Sequence, residues 1–283
     1  MKIKFTKMQG CGNDYVYING ISEEVPVNGR DEIVRKLSDR HFGIGSDGVI
    51  FINASDIADF EMEMWNADGT RSEMCGNGIR CVAKYVYDYG LTDKEELDIC
   101  SMGAVKHILL NVKDDKVDTV QVDMGEPIIK GELIPTASTL DKVVDYPIDV
   151  LGEEYRITCV SMGNPHAIIY ISDTEKLDID RIGPGIENHS FFPNRTNTEF
   201  VQNIDRKHIR MRVWERGTGE TLACGTGCCA LTVAGVLNGL TEREVDIDVL
   251  GGRIHVKWDE TDNHVYMTGP AAFAFEGEIA LPE

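Results

Sequence analysis

Four things are scarce or missing in this 283-residue sequence, and each closes off a class of protein. No apolar run approaches the roughly 20 residues that span a bilayer, so no membrane helix is expected. The opening segment, Met1-Lys2-Ile3-Lys4-Phe5-Thr6-Lys7, lacks the apolar stretch of a signal peptide, and a cytoplasmic protein is expected. Positive charge is short: 28 Lys and Arg stand against 48 Asp and Glu, a net charge of −20. That balance argues against general binding to nucleic acid or to anionic membranes. A small anionic substrate stays open, because a local site can hold an anion inside an acidic envelope. Eight cysteines are present, but there is no Cys-x-x-Cys and no Cys/His cluster at zinc-finger spacing. A reducing compartment also disfavours structural disulfides. We therefore expect no metal, and read most thiols as small buried hydrophobes.

What is present is one short phrase, twice. Met74-Cys75-Gly76-Asn77-Gly78 opens an apolar helical run, and Ala223-Cys224-Gly225-Thr226-Gly227 opens another, 149 positions later. Cysteine followed by Gly-x-Gly and a helix places a thiol at the positive end of that helix, beside unobstructed backbone N–H groups. Such an end favours anions and lowers a thiol pKa from about 8.5 toward neutrality. The other six, Cys11, Cys81, Cys100, Cys159, Cys228 and Cys229, lack these surroundings.

The likeness between the halves runs further. Gly12-Asn13-Asp14 is echoed by Gly163-Asn164-Pro165, and Trp65 and Trp214 each stand ten residues before their cysteine. Asp98 with Gly103 and His107 answers Asp246 with Gly251 and His255. An internal duplication is the natural reading. We expect an α/β (α+β) fold with mixed and antiparallel sheets, in two pseudo-symmetric domains. The first would comprise 1–124 plus 271–283 and carry Cys75; the second would comprise 125–270 and carry Cys224. In the first half the pattern predicts strands over 2–8, 15–19, 49–52 and 59–65, and helices over 31–40 and 79–89. The second cysteine helix is predicted over 228–238, with Gly90 and Gly239 just past the helix ends. Both cysteine helices are apolar nearly all round, so each is expected at the centre of its domain, wrapped by strands. Gly43-Ile44-Gly45-Ser46-Asp47-Gly48 spells a G-x-G-x-x-G, but a β-like run follows it instead of a helix, so a turn is predicted and not a dinucleotide site.

Two helix-end thiols related by a duplication suit one chemistry in particular. Moving a proton from one face of a carbon beside a carboxylate to the other face needs two acid/base groups flanking that carbon. Backbone N–H groups of Gly76, Asn77, Gly225 and Thr226 would stabilise the charge that grows on the carboxylate. One cysteine must be thiolate while the other is thiol, so their titrations are coupled. Glu215-Arg216 after Trp214 offers a carboxylate for an amino group and a bidentate fork for a carboxylate. Asn13, Asn164 and Asn197 add neutral donors and acceptors, Asn66 follows Trp65, and His166 is a further candidate beside Asn164.

Met74-Cys75-Gly76-Asn77-Gly78-Ile79-Arg80-Cys81, Gly163-Asn164-Pro165-His166 and the run from Glu215 to Gly227 together resemble diaminopimelate epimerase, as do Gly12-Asn13-Asp14 and Asp39-Arg40-His41-Phe42-Gly43. The resemblance covers essentially the whole chain. It implies a cofactor-independent enzyme that interconverts LL- and meso-2,6-diaminopimelate in lysine and peptidoglycan precursor synthesis. It further implies that Cys75 and Cys224 are the acid/base pair, and that Asn13, Asn66, Asn164, Asn197, Glu215 and Arg216 bind substrate. Gly76, Asn77, Gly225 and Thr226 would hold the reacting carboxylate. A small amino-acid substrate and a homodimer are implied, with no nucleic-acid or membrane partner. Many relatives carry glutamine where this chain has Gly48. The rival readings are a proline-racemase-like enzyme, a thiol–disulfide or zinc protein, and a non-catalytic carboxylate binder. A substrate with a second charged end, suggested by Glu215 and Arg216, favours the epimerase over the first. The missing Cys-x-x-Cys disfavours the second, and the presence of both thiols the third.

Overall fold

The computed structural model describes residues 2–72 and 75–281; Met74 of the first cysteine phrase lies outside them. In chain order the elements are β1 (Lys2–Gly10), β2 (Asn13–Asn19), α1 (Arg30–Ser38), β3 (Gly48–Asn53), β4 (Phe60–Asn66), α2 (Gly76–Asp88), β5 (Glu96–Ser101), β6 (Ala104–Lys113) and β7 (Lys116–Asp123). There follow β8 (Tyr146–Val150), β9 (Glu153–Ser161), β10 (Pro165–Tyr170), α3 (Ile179–Glu187), β11 (Asn197–Asn203), β12 (His208–Glu215) and β13 (Gly219–Thr221). The chain closes with α4 (Gly225–Leu237), β14 (Glu244–Val249), β15 (Gly252–Trp258), β16 (Val265–Pro270) and β17 (Ala272–Ala280). The chain divides into two compact units, Met1–Val122 with Gly269–Glu283, and Asp123–Thr268.

The strand pattern is the same in both units. In the first, β17 is antiparallel to β1, β1 antiparallel to β2, β2 parallel to β3, β3 antiparallel to β4, β4 parallel to β5, and β5, β6 and β7 continue antiparallel. In the second, β8, β9, β10, β11, β12, β14, β15 and β16 repeat that series of directions step for step. The duplication reaches single side chains. Asp98 faces His107 across β5 and β6, and Asp246 faces His255 across β14 and β15, with His Nδ1 to Asp Oδ1 distances of 2.5 and 2.8 Å. The β5–β6 hairpin turns through Met102 and Gly103, both at positive φ, as the tight turn between twisted strands demands.

Each sheet lies between an inner and an outer helix, because its central strands are apolar on both faces. Val16, Ile18, Val49 and Phe51 pack with Ile33, Val34 and Leu37 of α1. The alternate residues face α2: Tyr17 Oη donates to Gly78 O, and Ile50 lies against Gly78. In the second unit Ala167, Ile169 and Phe200 pack with Ile179, Ile182 and Ile186 of α3. The inner helices α2 and α4 are buried along almost their whole length and touch β1, β2, β5 and β6 in one unit and β9, β10, β11, β14 and β15 in the other. Burial of that kind suits α4, which is apolar all round, whereas α2 departs from the expectation by burying Asn77, Arg80 and Lys84.

Some boundaries differ from the sequence reading. Both inner helices begin three residues earlier, at Gly76 and Gly225, so the Gly-x-Gly segments are their first turns. The sequence reading gave both halves the same order of elements but set no bounds for the second-half counterpart of the helix at 31–40; it spans Ile179–Glu187, although it holds Gly183-Pro184-Gly185. Pro184 sits six residues into α3, and the helix holds through packing of its three isoleucines.

Candidate active site

Both thiols occupy the cap position of their inner helix, in extended backbone: φ −132°, ψ 116° at Cys75 and φ −118°, ψ 111° at Cys224. A cap residue leaves the first helical N–H groups without intrahelical partners, which gives the donors that the sequence reading anticipated. The Gly-x-Gly spacing has a second cause. A Cβ at Gly78 would lie 2.9 Å from Ile50 Cδ1, and one at Gly227 would lie 2.4 Å from Glu199 Oε1. The last glycine of each phrase lets the helix start press against a strand side chain.

In the first unit Cys75 is half-buried, and its S–H donates to Asn13 Oδ1 at 3.2 Å while its sulfur accepts from the Gly78 N–H at 3.4 Å. Asn13 Nδ2 donates to Asp47 Oδ2 at 2.7 Å, and Arg40 Nη2 donates to Asp47 Oδ1 and Asp14 Oδ1 at 2.9 and 2.7 Å. Lys7 pairs with Asp14 and donates to Gly45 O. This ionic lattice immobilises Asn13 against the thiol. The sequence reading quoted Arg40 but overlooked the lattice, since Lys7, Asp14, Arg40 and Asp47 meet only through the turn at 43–48. Asn66 ends β4 opposite Gly48, next to Ala67, whose N–H donates to Asp47 O. A Cβ at Gly48 would lie 2.0 Å from Trp65 O, so glycine is what lets β3 and β4 approach this closely. Asn77 is buried and its Oδ1 accepts from Arg80 Nη2 at 2.9 Å; Arg80, fully buried, also donates to Gly76 O and Pro270 O.

In the second unit Cys224 is buried, and its sulfur lies 3.5 Å from Thr226 Oγ1. Thr226 accepts from Asn164 Nδ2 at 3.2 Å, Asn164 Oδ1 lies 3.1 Å from His166 Nε2, and His166 Nδ1 lies 2.7 Å from Glu199 Oε1. Asn197 Nδ2 donates to Pro165 O, and its Oδ1 accepts the Arg216 N–H at 2.9 Å. Arg216 is exposed, with Nη1 donating to Asn194 O, and Glu215 accepts from the Thr221 hydroxyl. Asn164, His166, Thr226 and Cys224 are therefore linked by hydrogen bonds, Asn197 holds Pro165 O and the Arg216 N–H beside them, and Glu215 acts on Cys224 through its charge. In the first unit Asn13 joins Cys75, and Arg80 joins Gly76 and Asn77. Glu199 was missed in the sequence. Its signal was a lone carboxylate inside the otherwise uncharged, β-like run Asn197-Thr198-Glu199-Phe200-Val201.

One expectation is corrected. Cys224 is not poised toward neutrality: its thiol is pushed well above the usual range, first by burial and then by the carboxylates of Glu215 and Glu199. The Thr226 hydroxyl and the Gly227 N–H oppose this without reversing it. Desolvation outweighs the helix end because a thiolate loses its water there and gains only partial charges in return. Among the described residues one group has metal-ligand chemistry, His166, Glu199 and Cys224, with ligand atoms within 4.8 Å of one another. Both ring nitrogens of His166 are already engaged in hydrogen bonds, so the cluster is a hydrogen-bond network.

Comparison with known proteins adds an independent line. Residues 5–130 and 158–274 match the family model described as diaminopimelate epimerase. The chain is 52% identical over 281 residues to the diaminopimelate epimerase of Acetivibrio thermocellus, covering 99% of this chain and all of that protein. It is 53% identical over 279 residues to that of Methanococcus maripaludis strain C6, again over 99% of this chain and 100% of the relative. Among solved structures it resembles a PhzF-family phenazine biosynthesis protein from Bacillus anthracis (TM-score 0.71, 17% identity, 99% of this chain and 100% of that one). It also resembles a probable proline racemase from Agrobacterium radiobacter K84 (TM-score 0.70, 12% identity, 99% and 93%). At those identities the structural likeness establishes the fold alone. No helix among the described residues is long and apolar enough to cross a membrane.

Proposed function

Because this chain belongs to the diaminopimelate epimerase family, we propose that it interconverts LL- and meso-2,6-diaminopimelate with a pair of cysteines and no cofactor. The observation that carries the mechanism is the repeated geometry: one thiol capping the inner helix of each duplicated unit. In this reading a thiolate removes the α-proton, so that a C–H bond breaks and an S–H bond forms. The electron pair left on carbon spreads into the neighbouring carboxylate. The second cysteine then gives its proton to the opposite face, and the two sulfurs have exchanged roles with no change of oxidation state.

The residues divide the remaining work. N–H groups of Gly76, Asn77, Gly225 and Thr226 hold the reacting carboxylate as its charge grows. Asn13 and Asn164 fix the substrate beside each thiol, with Asn66 and Asn197 supporting. Glu215 and Arg216 hold the distal amino group and carboxylate, the guanidinium as a bidentate fork. Burial and two carboxylates favour Cys224 as the thiol of the resting enzyme, leaving it ready to donate.

The test is turnover of LL-diaminopimelate in heavy water without added pyridoxal phosphate or metal. Deuterium should enter one α-carbon as the meso isomer forms. Cys75→Ala and Cys224→Ala should each lose at least about 10²-fold in both directions. Full two-way activity in either variant would refute the assignment. The mechanism also requires both sulfurs to reach one carbon, so air oxidation should join them in a disulfide, with activity restored by reductant.

We further place the enzyme in the cytoplasm, supported by eight free cysteines, and read it as a homodimer. Exposed Phe273 and Phe275 on β17, the latter in edge contact with Phe5, support a covered face. Light scattering should give twice the chain mass, and Phe275→Asp should shift it toward the monomer; a monomeric parent would remove this reading.

A further inference from the structure

Glu199 is a fully buried carboxylate at a position where the duplicated unit holds a hydrocarbon. β2 and β3 set Tyr17 opposite Ile50, and β10 and β11 set Ile168 opposite Glu199. The two residues meet equivalent glycines, Ile50 at Gly78 and Glu199 at Gly227. Packing alone is thus served by Ile50, and the charged residue beside Cys224 needs another reason. Among the described residues its Oε2 has no hydrogen-bond partner, so the carboxylate is retained for what Oε1 does.

Oε1 lies 2.7 Å from His166 Nδ1, a separation at which two lone pairs repel, so a proton lies between them. Asn164 Nδ2 donates to Thr226 Oγ1, which turns Asn164 Oδ1 toward His166 Nε2, and that nitrogen must therefore carry hydrogen too. Thr226 Oγ1 accepts from Asn164, which leaves its own hydrogen free for the Cys224 sulfur 3.5 Å away. His166 Nδ1 donates to the Glu199 carboxylate, and from His166 Nε2 through Asn164 and Thr226 to the sulfur every donor points the same way.

We infer that Glu199 is a positioning residue, which keeps hydrogen on His166 Nε2 and so aims the Thr226 hydroxyl at Cys224. Without it, Nε2 can lose its hydrogen and accept from the Asn164 amide. The amide then turns over, and Thr226 donates to Asn164 Oδ1 instead of the sulfur. The thiolate form of Cys224 loses its hydroxyl donor. The charged and titratable groups that face Cys224 within its unit are Glu215 at the end of β12, Glu199 on β11 and His166 on β10. The Glu199 charge itself holds the thiol up, and Glu199→Ile and Glu199→Gln both remove that charge, so the difference between the two variants isolates the hydrogen-bond series. The functional meaning rests on Cys224 being an acid/base group, but the test does not need turnover.

The pH dependence of Cys224 alkylation by iodoacetamide is measured in the full-length chain, by mass spectrometry of the peptide. Glu199→Ile should have a midpoint about one unit above that of Glu199→Gln, through loss of a hydrogen bond to the charged form. Glu199→Gln can donate its amide N–H to Nδ1 and keep hydrogen on Nε2, so it keeps the hydroxyl donor at the sulfur while losing the charge. Thr226→Ala should raise the parent's midpoint by the amount that separates isoleucine from glutamine, and adding it to Glu199→Ile should change nothing further. A glutamine variant that shifts like isoleucine, additive shifts, or no shift in Thr226→Ala would overturn the inference. If Glu199→Ile does not fold, nitrogen NMR of His166 in the unsubstituted chain decides. Nε2 bearing hydrogen from pH 6 to 9 supports the inference, and bare Nε2 in that range overturns it.

Discussion

At the residue scale, the two inner helices solve a problem that small side chains alone would not. Arg80 lies fully buried in the first cysteine helix and donates to Gly76 O at 3.1 Å, Asn77 Oδ1 at 2.9 Å and Pro270 O at 3.2 Å. A buried cation costs desolvation, which is offset only while its acceptors stay in place. It therefore braces the helix start that carries Cys75 and Asn77. Arg80→Met should cost about 3 kcal/mol, because it also strands acceptors that were satisfied. Urea unfolding measures this, and a loss below about 1 kcal/mol would show that the arginine braces little.

At the scale of the element, α3 shows how contact can override local preference. Its core holds Gly183-Pro184-Gly185, residues that disfavour a helix interior. A Cβ at Gly183 would lie 2.4 Å from the Trp214 ring, so glycine is what lets α3 come down onto β12. Trp214 Nε1 donates to Glu187 Oε2 at 2.7 Å, and Glu187 Oε1 accepts the Gly217 N–H, joining the helix to the loop after Glu215 and Arg216. Gly183→Ala gains helix propensity but must displace the indole. The net effect should be a loss of about 1–3 kcal/mol by overpacking, read as a lower urea midpoint. An unchanged or higher midpoint would mean that propensity wins.

At the scale of the whole molecule, duplication leaves a shared liability to alkali. Burial raises the thiols of Cys11, Cys81, Cys159 and Cys224, that of Cys81 to about 11. An unfolded thiol titrates near 8.5. Below that value both states hold the proton and the stabilisation is fully present. Above it only the unfolded state gives the proton up, so stability falls as pH rises toward the folded value. The contribution of Cys81 alone is on the order of 3 kcal/mol by pH 11. The urea midpoint should drop steadily from pH 8 to pH 10; a flat midpoint across that window would contradict the burial of these thiols.

The sequence by itself determined the duplication, the two inner helices with a cysteine phrase at the start of each, and the glycines just past their ends. These are legible because a repeated phrase, helix-ending glycines and apolar periodicity are local patterns that one pass along the chain can find. Only tertiary structure decided the rest. The helix through Gly183-Pro184-Gly185 forms because isoleucines and a tryptophan pay back what propensity loses. The high thiol range of Cys224 follows from desolvation beside Glu215 and Glu199, and Glu199 meets His166 only because β10 and β11 run in parallel register. Helix-end donors can be read from Gly-x-Gly, but the water excluded from a sulfur depends on residues far away in the chain, and so does its pKa.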